Sequence, residues 1–143
     1  MISNRLLLEK INLISGDLLR FEELSDKTIA DLSKYYFKYA VLKNIFMEII
    51  GRAIDINRHI ISESDQITEI PKTYREIFIY LSDLKVYPGE FADKIACAVG
   101  FRKAIVHEYN NLDKNKIFNT NRRCCEDFQK ILRIYYKLYI GYN

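Results

Sequence analysis

From Ile29 to Ile60 the sequence sets an apolar side chain at every third or fourth position: Ile29, Leu32, Tyr36, Tyr39, Leu42, Phe46, Ile49, Ala53, Ile56 and Ile60. No proline interrupts the series. A 3.6-residue period held this long describes one face of a long helix. A strand, whose side chains alternate every second residue, cannot reproduce it. The spacing predicts a helix from about Lys27 to Ser62, roughly 50 Å long at 1.5 Å per residue. That is longer than a compact domain of this size needs: either part of the helix serves a partner, or it bends near Gly51.

The rest of the chain repeats the period. Leu7, Ile11, Ile14, Leu18 and Phe21 line one face of a helix predicted over Ser3–Glu23, with Ser25 or Asp26 capping the next start. Ser62 to Lys72 reads as a polar loop ending in Pro71. Thr73-x-x-Glu76 has the form of a capping box and opens a third helix, with Tyr74, Ile77, Leu81 and Leu84 expected to face inward. Val86-Tyr87-Pro88-Gly89 ends that pattern. A fourth helix starts near Glu90 with Phe91, Ile95, Ala98 and Val99. A fifth follows Asn110-Asn111-Leu112-Asp113, with the stripe Ile117, Asn121, Cys124, Phe128, Ile131, Tyr135 and Leu138. Two prolines and five glycines in 143 residues are too few to punctuate many short strands. We therefore expect an all-α fold, an antiparallel up-and-down bundle of four to five helices, in a single domain over residues 1–143.

Several functional classes are disfavoured at this point. The three cysteines, Cys97, Cys124 and Cys125, are odd in number and form no CxxC pair, so neither a disulfide framework nor a cysteine-rich zinc site is expected. With only His59 and His107, no histidine-rich metal site is expected either. No apolar run approaches the roughly 20 residues that span a bilayer. The chain opens on Met-Ile-Ser-Asn-Arg and passes directly into a charged amphipathic pattern, so a cytoplasmic protein without membrane attachment is expected. Residues 102–143 carry 9 basic and 4 acidic side chains, against 13 and 15 in residues 1–101. A basic last third suits a polyanion such as RNA as well as a solvated helix face.

One segment departs from its own pattern. The stripe of the fourth helix runs Phe91, Ile95, Ala98, then Arg102, then Ile105 and Val106, which sets an arginine in the middle of an apolar face. Such an arginine either snorkels to an edge or belongs to a site that uses its charge. Tyr109 continues the stripe. His107 lies about 140° around the helix from Arg102. Both reach one pocket if the helix unwinds near Val106, as Asn110-Asn111 hints, or if the pocket wraps the helix end.

The segment Phe101-Arg102-Lys103-Ala104-Ile105-Val106-His107-Glu108-Tyr109 has the form R-x4-H-x-Y, and in this it resembles the HEPN superfamily, in particular its HepT-like toxin branch. Gly51-Arg52-Ala53-Ile54-Asp55-Ile56-Asn57-Arg58-His59-Ile60-Ile61 resembles the second helix of that family. Phe91-Ala92-Asp93-Lys94-Ile95, leading to Val99-Gly100-Phe101-Arg102, resembles its motif helix. Helix order and length agree, so the resemblance covers nearly the whole chain. It departs from the family at Lys103, where many members carry asparagine.

The resemblance implies a metal-independent endoribonuclease toxin of a toxin–antitoxin module, without cofactor. It implies a homodimer whose two motifs face one cleft, an RNA substrate, and a nucleotidyltransferase antitoxin that adds AMP to Tyr109. Arg102 and His107 become the catalytic pair. The chemistry is self-consistent, because RNA carries its own nucleophile, the 2′-hydroxyl. A histidine, with an ordinary pKa of about 6.5, moves protons near neutral pH. A planar guanidinium grips phosphate through two hydrogen bonds. AMP on Tyr109 would add bulk and negative charge beside that pair. Asp55 and His59, one turn apart on the long helix, are candidates for the cleft, as is Lys103. Lys114, Lys116, Arg122, Arg123, Lys130 and Arg133 are candidates to follow the RNA backbone. The alternative is a non-catalytic module that binds nucleotide or RNA, or that scaffolds a nucleotidyltransferase.

Overall fold

Five helices make up nearly all of what the computed structural model describes: the backbone of residues 4–25, 36–64, 71–108 and 114–141, and the side chains of 5–24, 40–64, 71–100 and 123–141. They are α1 (Asn4–Ser25), α2 (Tyr36–Ser62), α3 (Tyr74–Asp83), α4 (Gly89–Glu108) and α5 (Lys114–Gly141). Among the described residues there is no strand. Each helix packs on the next, and α5 closes the bundle against α1 and α2. This is the all-α, up-and-down order that the periodicity predicts.

α1 buries Leu7, Ile11, Ile14, Leu18 and Phe21, the same five residues that the period picks out. Ser25 is its last residue and so is not the cap of the following helix. The expected cap Asp26 and the expected first turns of the long helix, with Ile29 and Leu32, lie outside the described residues. α2 runs through Gly51 as continuous helix. It buries the stripe Leu42, Phe46, Ile49, Ala53, Ile56 and Ile60, and with it Ile45, Ile50, Ile54 and Ile61. A single stripe does not account for that second set; it follows from α1, α3 and α5 all packing on α2.

Thr73 caps α3 as expected: its Oγ1 accepts from the Glu76 N–H at 3.1 Å. The reciprocal bond is displaced by one residue, because the Glu76 carboxylate takes the Lys72 N–H at 2.8 Å. Ile77 and Leu81 are buried, joined by Phe78, whereas Leu84 is only partly covered. Tyr74 is exposed, contrary to expectation. It is the first residue after the Thr73 cap, in the opening turn of α3. At the other end, Val86 donates to the Leu81 carbonyl at 2.9 Å and Lys85 to that of Ser82 at 3.0 Å. This is a Schellman closure with Lys85 in the left-handed position at φ 61°.

The break before α4 is anchored rather than loose. Tyr87 is buried, donates its hydroxyl to the Phe78 carbonyl at 2.5 Å, and meets Phe91 edge-on with ring centroids 5.1 Å apart. α4 buries Ala92, Ile95, Ala96, Ala98 and Val99. On α5 the core residues are Cys125, Phe128, Ile131 and Tyr135, with Cys124 and Leu138 at the margin. The Phe128 ring stands edge-on to Phe46, centroids 6.1 Å apart. Lys94 reaches buried Asp127 at 3.3 Å and ties α4 to α5.

Candidate functional site

α4 is regular helix from Gly89 to Glu108, so positions 102, 103 and 107 fall in its last two turns. No unwinding occurs at Val106. Positions 102 and 107 therefore remain about 140° apart around one helix, separated by about 7.5 Å of rise. The expected convergence through a broken helix is corrected: a substrate that touches both positions has to lie across the helix end. The side chains of Arg102, Lys103 and His107, and Tyr109 altogether, lie outside the described residues.

α3 and α4 pack together and are joined by the short segment 84–88, so they run antiparallel. Ten residues of α3 bring Tyr74 level with about residue 98 of α4, roughly one turn short of position 102. The start of α3, the end of α4 and the last turns of α2 thus belong to one end of the bundle.

An open groove of about 350 Å³ runs along α2 from its middle toward that end and is bounded there by the start of α3. Glu48, Gly51, Arg52, Asp55, Arg58 and Tyr74 line it. The Arg58 guanidinium lies over the Tyr74 ring, 5.5 Å from its centroid, a cation–π arrangement. Arg52 pairs with the buried carboxylate of Asp17 and approaches Glu48 at 3.7 Å. Arg20 reaches the other oxygen of Asp17 at 2.5 Å. Lys10 Nζ reaches Asp55 Oδ2 at 3.1 Å. The Asp55 carboxylate is nevertheless about half open to solvent, with 46% of its side chain exposed.

The structure separates the two secondary candidates from each other. Asp55 lines the groove, whereas His59 is buried with Ile60 and Ile61 in the last turn of α2. Three consecutive buried residues mean that this turn is covered on most sides, so one turn of spacing no longer implies a shared environment. The Nδ1 of His59 has no hydrogen-bond partner among the described residues. Of the basic residues expected to follow RNA, Arg123, Lys130 and Arg133 are exposed on α5. They lie on the side opposite Cys125, Phe128, Ile131 and Tyr135. The side chains of Lys114, Lys116 and Arg122 lie outside the described residues. Among the described residues no group of three or more metal-ligating side chains comes together, and no helix is long and apolar enough to cross a membrane.

Periodicity alone did not single out the Arg58–Tyr74 stack. The spacing of Tyr74 from Ile77 and Leu81 points it inward. The only signal against this was its place directly after the Thr73 cap.

The family described as Ribonuclease HepT-like matches residues 14–134. A tRNA nuclease HepT from Aphanizomenon flos-aquae (strain 2012/KM1/D3) is 32% identical over 113 residues, which cover 78% of this chain and 72% of the relative. Among solved structures, the tri-AMPylated HEPN toxin of Shewanella oneidensis in complex with MNT antitoxin shares the fold. Its TM-score is 0.79 at 20% identity, over 94% of this chain and 97% of that one.

Proposed function

The chain belongs to the family of HepT-like ribonucleases, and from that premise we propose that it is a metal-independent endoribonuclease toxin with Arg102 and His107 as its catalytic pair. The observation that supports this reading is that positions 102 and 107 of R-x4-H-x-Y fall in the last two turns of α4, inside the matched span.

In this reading a 2′-hydroxyl of RNA attacks the adjacent phosphorus. Its proton passes to a base, the P–O5′ bond breaks, and the departing oxygen takes a proton. His107 serves one or both transfers. Arg102 holds the phosphate and offsets the charge that builds on its oxygens. A helix that keeps the two positions about 140° apart favours a site completed across the end of α4, and we propose that a second copy supplies the facing half of the cleft in a homodimer of single-domain chains. The exposed Arg123, Lys130 and Arg133 offer a track for the RNA backbone. The cyanobacterial relative is named for tRNA, which makes tRNA the substrate to test first.

The Shewanella toxin is tri-AMPylated and in complex with MNT antitoxin. We propose a nucleotidyltransferase antitoxin for this chain and Tyr109 as the residue that receives AMP. Two residues from His107, the added phosphate would repel an RNA phosphate and fill the cleft.

The test is cleavage of tRNA by the purified protein in EDTA, beside His107→Ala and Arg102→Ala, with intact mass reporting the state of Tyr109. Cutting by the parent chain that both variants lose is the expected result. Cutting that survives in both, or none from a chain with unmodified Tyr109, would overturn the proposal.

A further inference from the structure

We propose that the groove between α2 and the start of α3 is a base-binding subsite, which takes a single unstacked guanine of the RNA against the Arg58–Tyr74 stack and reads it with the carboxylate of Asp55. The inference rests on the ribonuclease reading for its substrate, and on the groove itself for its chemistry.

Three observations converge. The first is space. At about 350 Å³ the groove falls within the size range of small-ligand sites, and part of that room exists because Gly51 has no side chain. A Cβ added at Gly51 would meet nothing within 4 Å, so the glycine is not required by packing. Glycine in mid-helix is also a poor helix former, so its presence costs stability that the fold does not recover through contacts.

The second is a flat, cationic platform. Single-stranded RNA is recognised largely by unstacked bases laid on aromatic rings or guanidinium planes. Arg58 over Tyr74 supplies both, and both are exposed.

The third is an acceptor edge beside that platform. Asp55 stands one turn from Gly51 and three residues from Arg58, so the open space, the platform and the carboxylate occupy one side of α2. A carboxylate offers only acceptors. Guanine presents two parallel donors, N1–H and the N2 amino group, that match it. Adenine and cytosine each place a ring acceptor beside their amino group, and uracil flanks its one N–H with two carbonyls. Lys10 holds Oδ2 of Asp55 at 3.1 Å, which fixes the carboxylate while leaving lone pairs on both oxygens. Tyr74 comes level with α4 about one turn before position 102, which sets this edge of the groove toward the motif end of the bundle.

The experiment uses the full chain with 5′-GMP and 5′-CMP as probes in saturation-transfer NMR, and sequencing of the ends released from an RNA pool. GMP should bind at least tenfold more tightly than CMP. Gly51→Leu, which fills the groove and should raise rather than lower the melting temperature, should abolish that difference, and Asp55→Asn should reduce it about tenfold. His107→Ala should retain it. In the RNA pool, guanine should be enriched at one fixed position relative to the cut, and Gly51→Leu should erase the enrichment. Equal binding of GMP and CMP, or discrimination that survives Gly51→Leu, overturns the subsite. Cutting that depends on His107 without GMP discrimination sinks the subsite and leaves the ribonuclease. GMP discrimination without any cutting does the reverse.

Discussion

The hydroxyl of Tyr135 donates to Oδ1 of Asn57 at 2.5 Å, joining α5 to α2 across 78 positions of sequence. Both residues are buried, and burial pushes the phenol well above its ordinary range, so Tyr135 stays a neutral donor at any working pH. The Nδ2 of Asn57 lacks a hydrogen-bond partner among the described residues. Tyr135→Phe therefore strips a buried amide of its acceptor bond, at an expected cost of roughly 1–3 kcal/mol. Adding Asn57→Leu should restore part of that loss. Urea unfolding of the two single variants and the double variant checks the coupling.

Lys85 occupies a left-handed position at φ 61°, where a β-carbon is unfavourable. Lys85→Gly should stabilise the chain by about 1 kcal/mol and raise the melting temperature by about 3 °C. No loss of cleavage should accompany it, since Lys85 lies at the far end of α3 from Tyr74.

Asp17 is a carboxylate with almost no exposure, held by Arg52 and Arg20. Asp17→Ala strands Arg52, which is itself only a quarter exposed. Breaking such a pair typically costs about 3–5 kcal/mol when both partners are buried, and the partial exposure of Arg52 argues for the lower end. Thermal unfolding reports the loss directly.

Burial, ahead of neighbouring charges, pushes the Cys124 thiol up to about 11 and the Cys125 thiol up to about 12, from an ordinary 9.0. The folded chain thus holds protons that the unfolded chain has released between pH 9 and about 11–12. The stability these thiols contribute is intact below pH 9 and is lost as the pH climbs through that window. The urea midpoint should hold from pH 7 to 8.5 and fall above 9. At pH 8, iodoacetamide should label exposed Cys97 first, with Cys124 and Cys125 reacting only on unfolding.

If Arg102 grips phosphate through two parallel bonds, charge alone does not replace it. Arg102→Lys should lower cleavage by roughly 100-fold while leaving the melting temperature unchanged. Activity close to that of the parent chain would show that position 102 supplies only positive charge.

Much of the architecture was legible in the sequence because periodicity reports which face of a helix is covered. The five core residues of α1 are those the spacing names, and Thr73 announces the start of α3. The miss at Tyr74 has a plain cause: its exposure depends on where the bundle stops, and spacing within one helix carries no information about that. Gly51 reads as a hinge in sequence, whereas in the fold it is a vacancy in a continuous helix. The groove it opens is assembled from two helices, and no local pattern could have drawn it. For the motif, the sequence supplied position and residue type, and the fold added the regular helix through Val106.

Because α5 packs on α1 and α2 together, the core has no closed form until residues as late as Tyr135 are available. A chain emerging from the ribosome would leave uncovered the seam between α1 and α2 that α5 closes until α5 follows. Copies cut short of α5 would then expose that seam to proteases and chaperones.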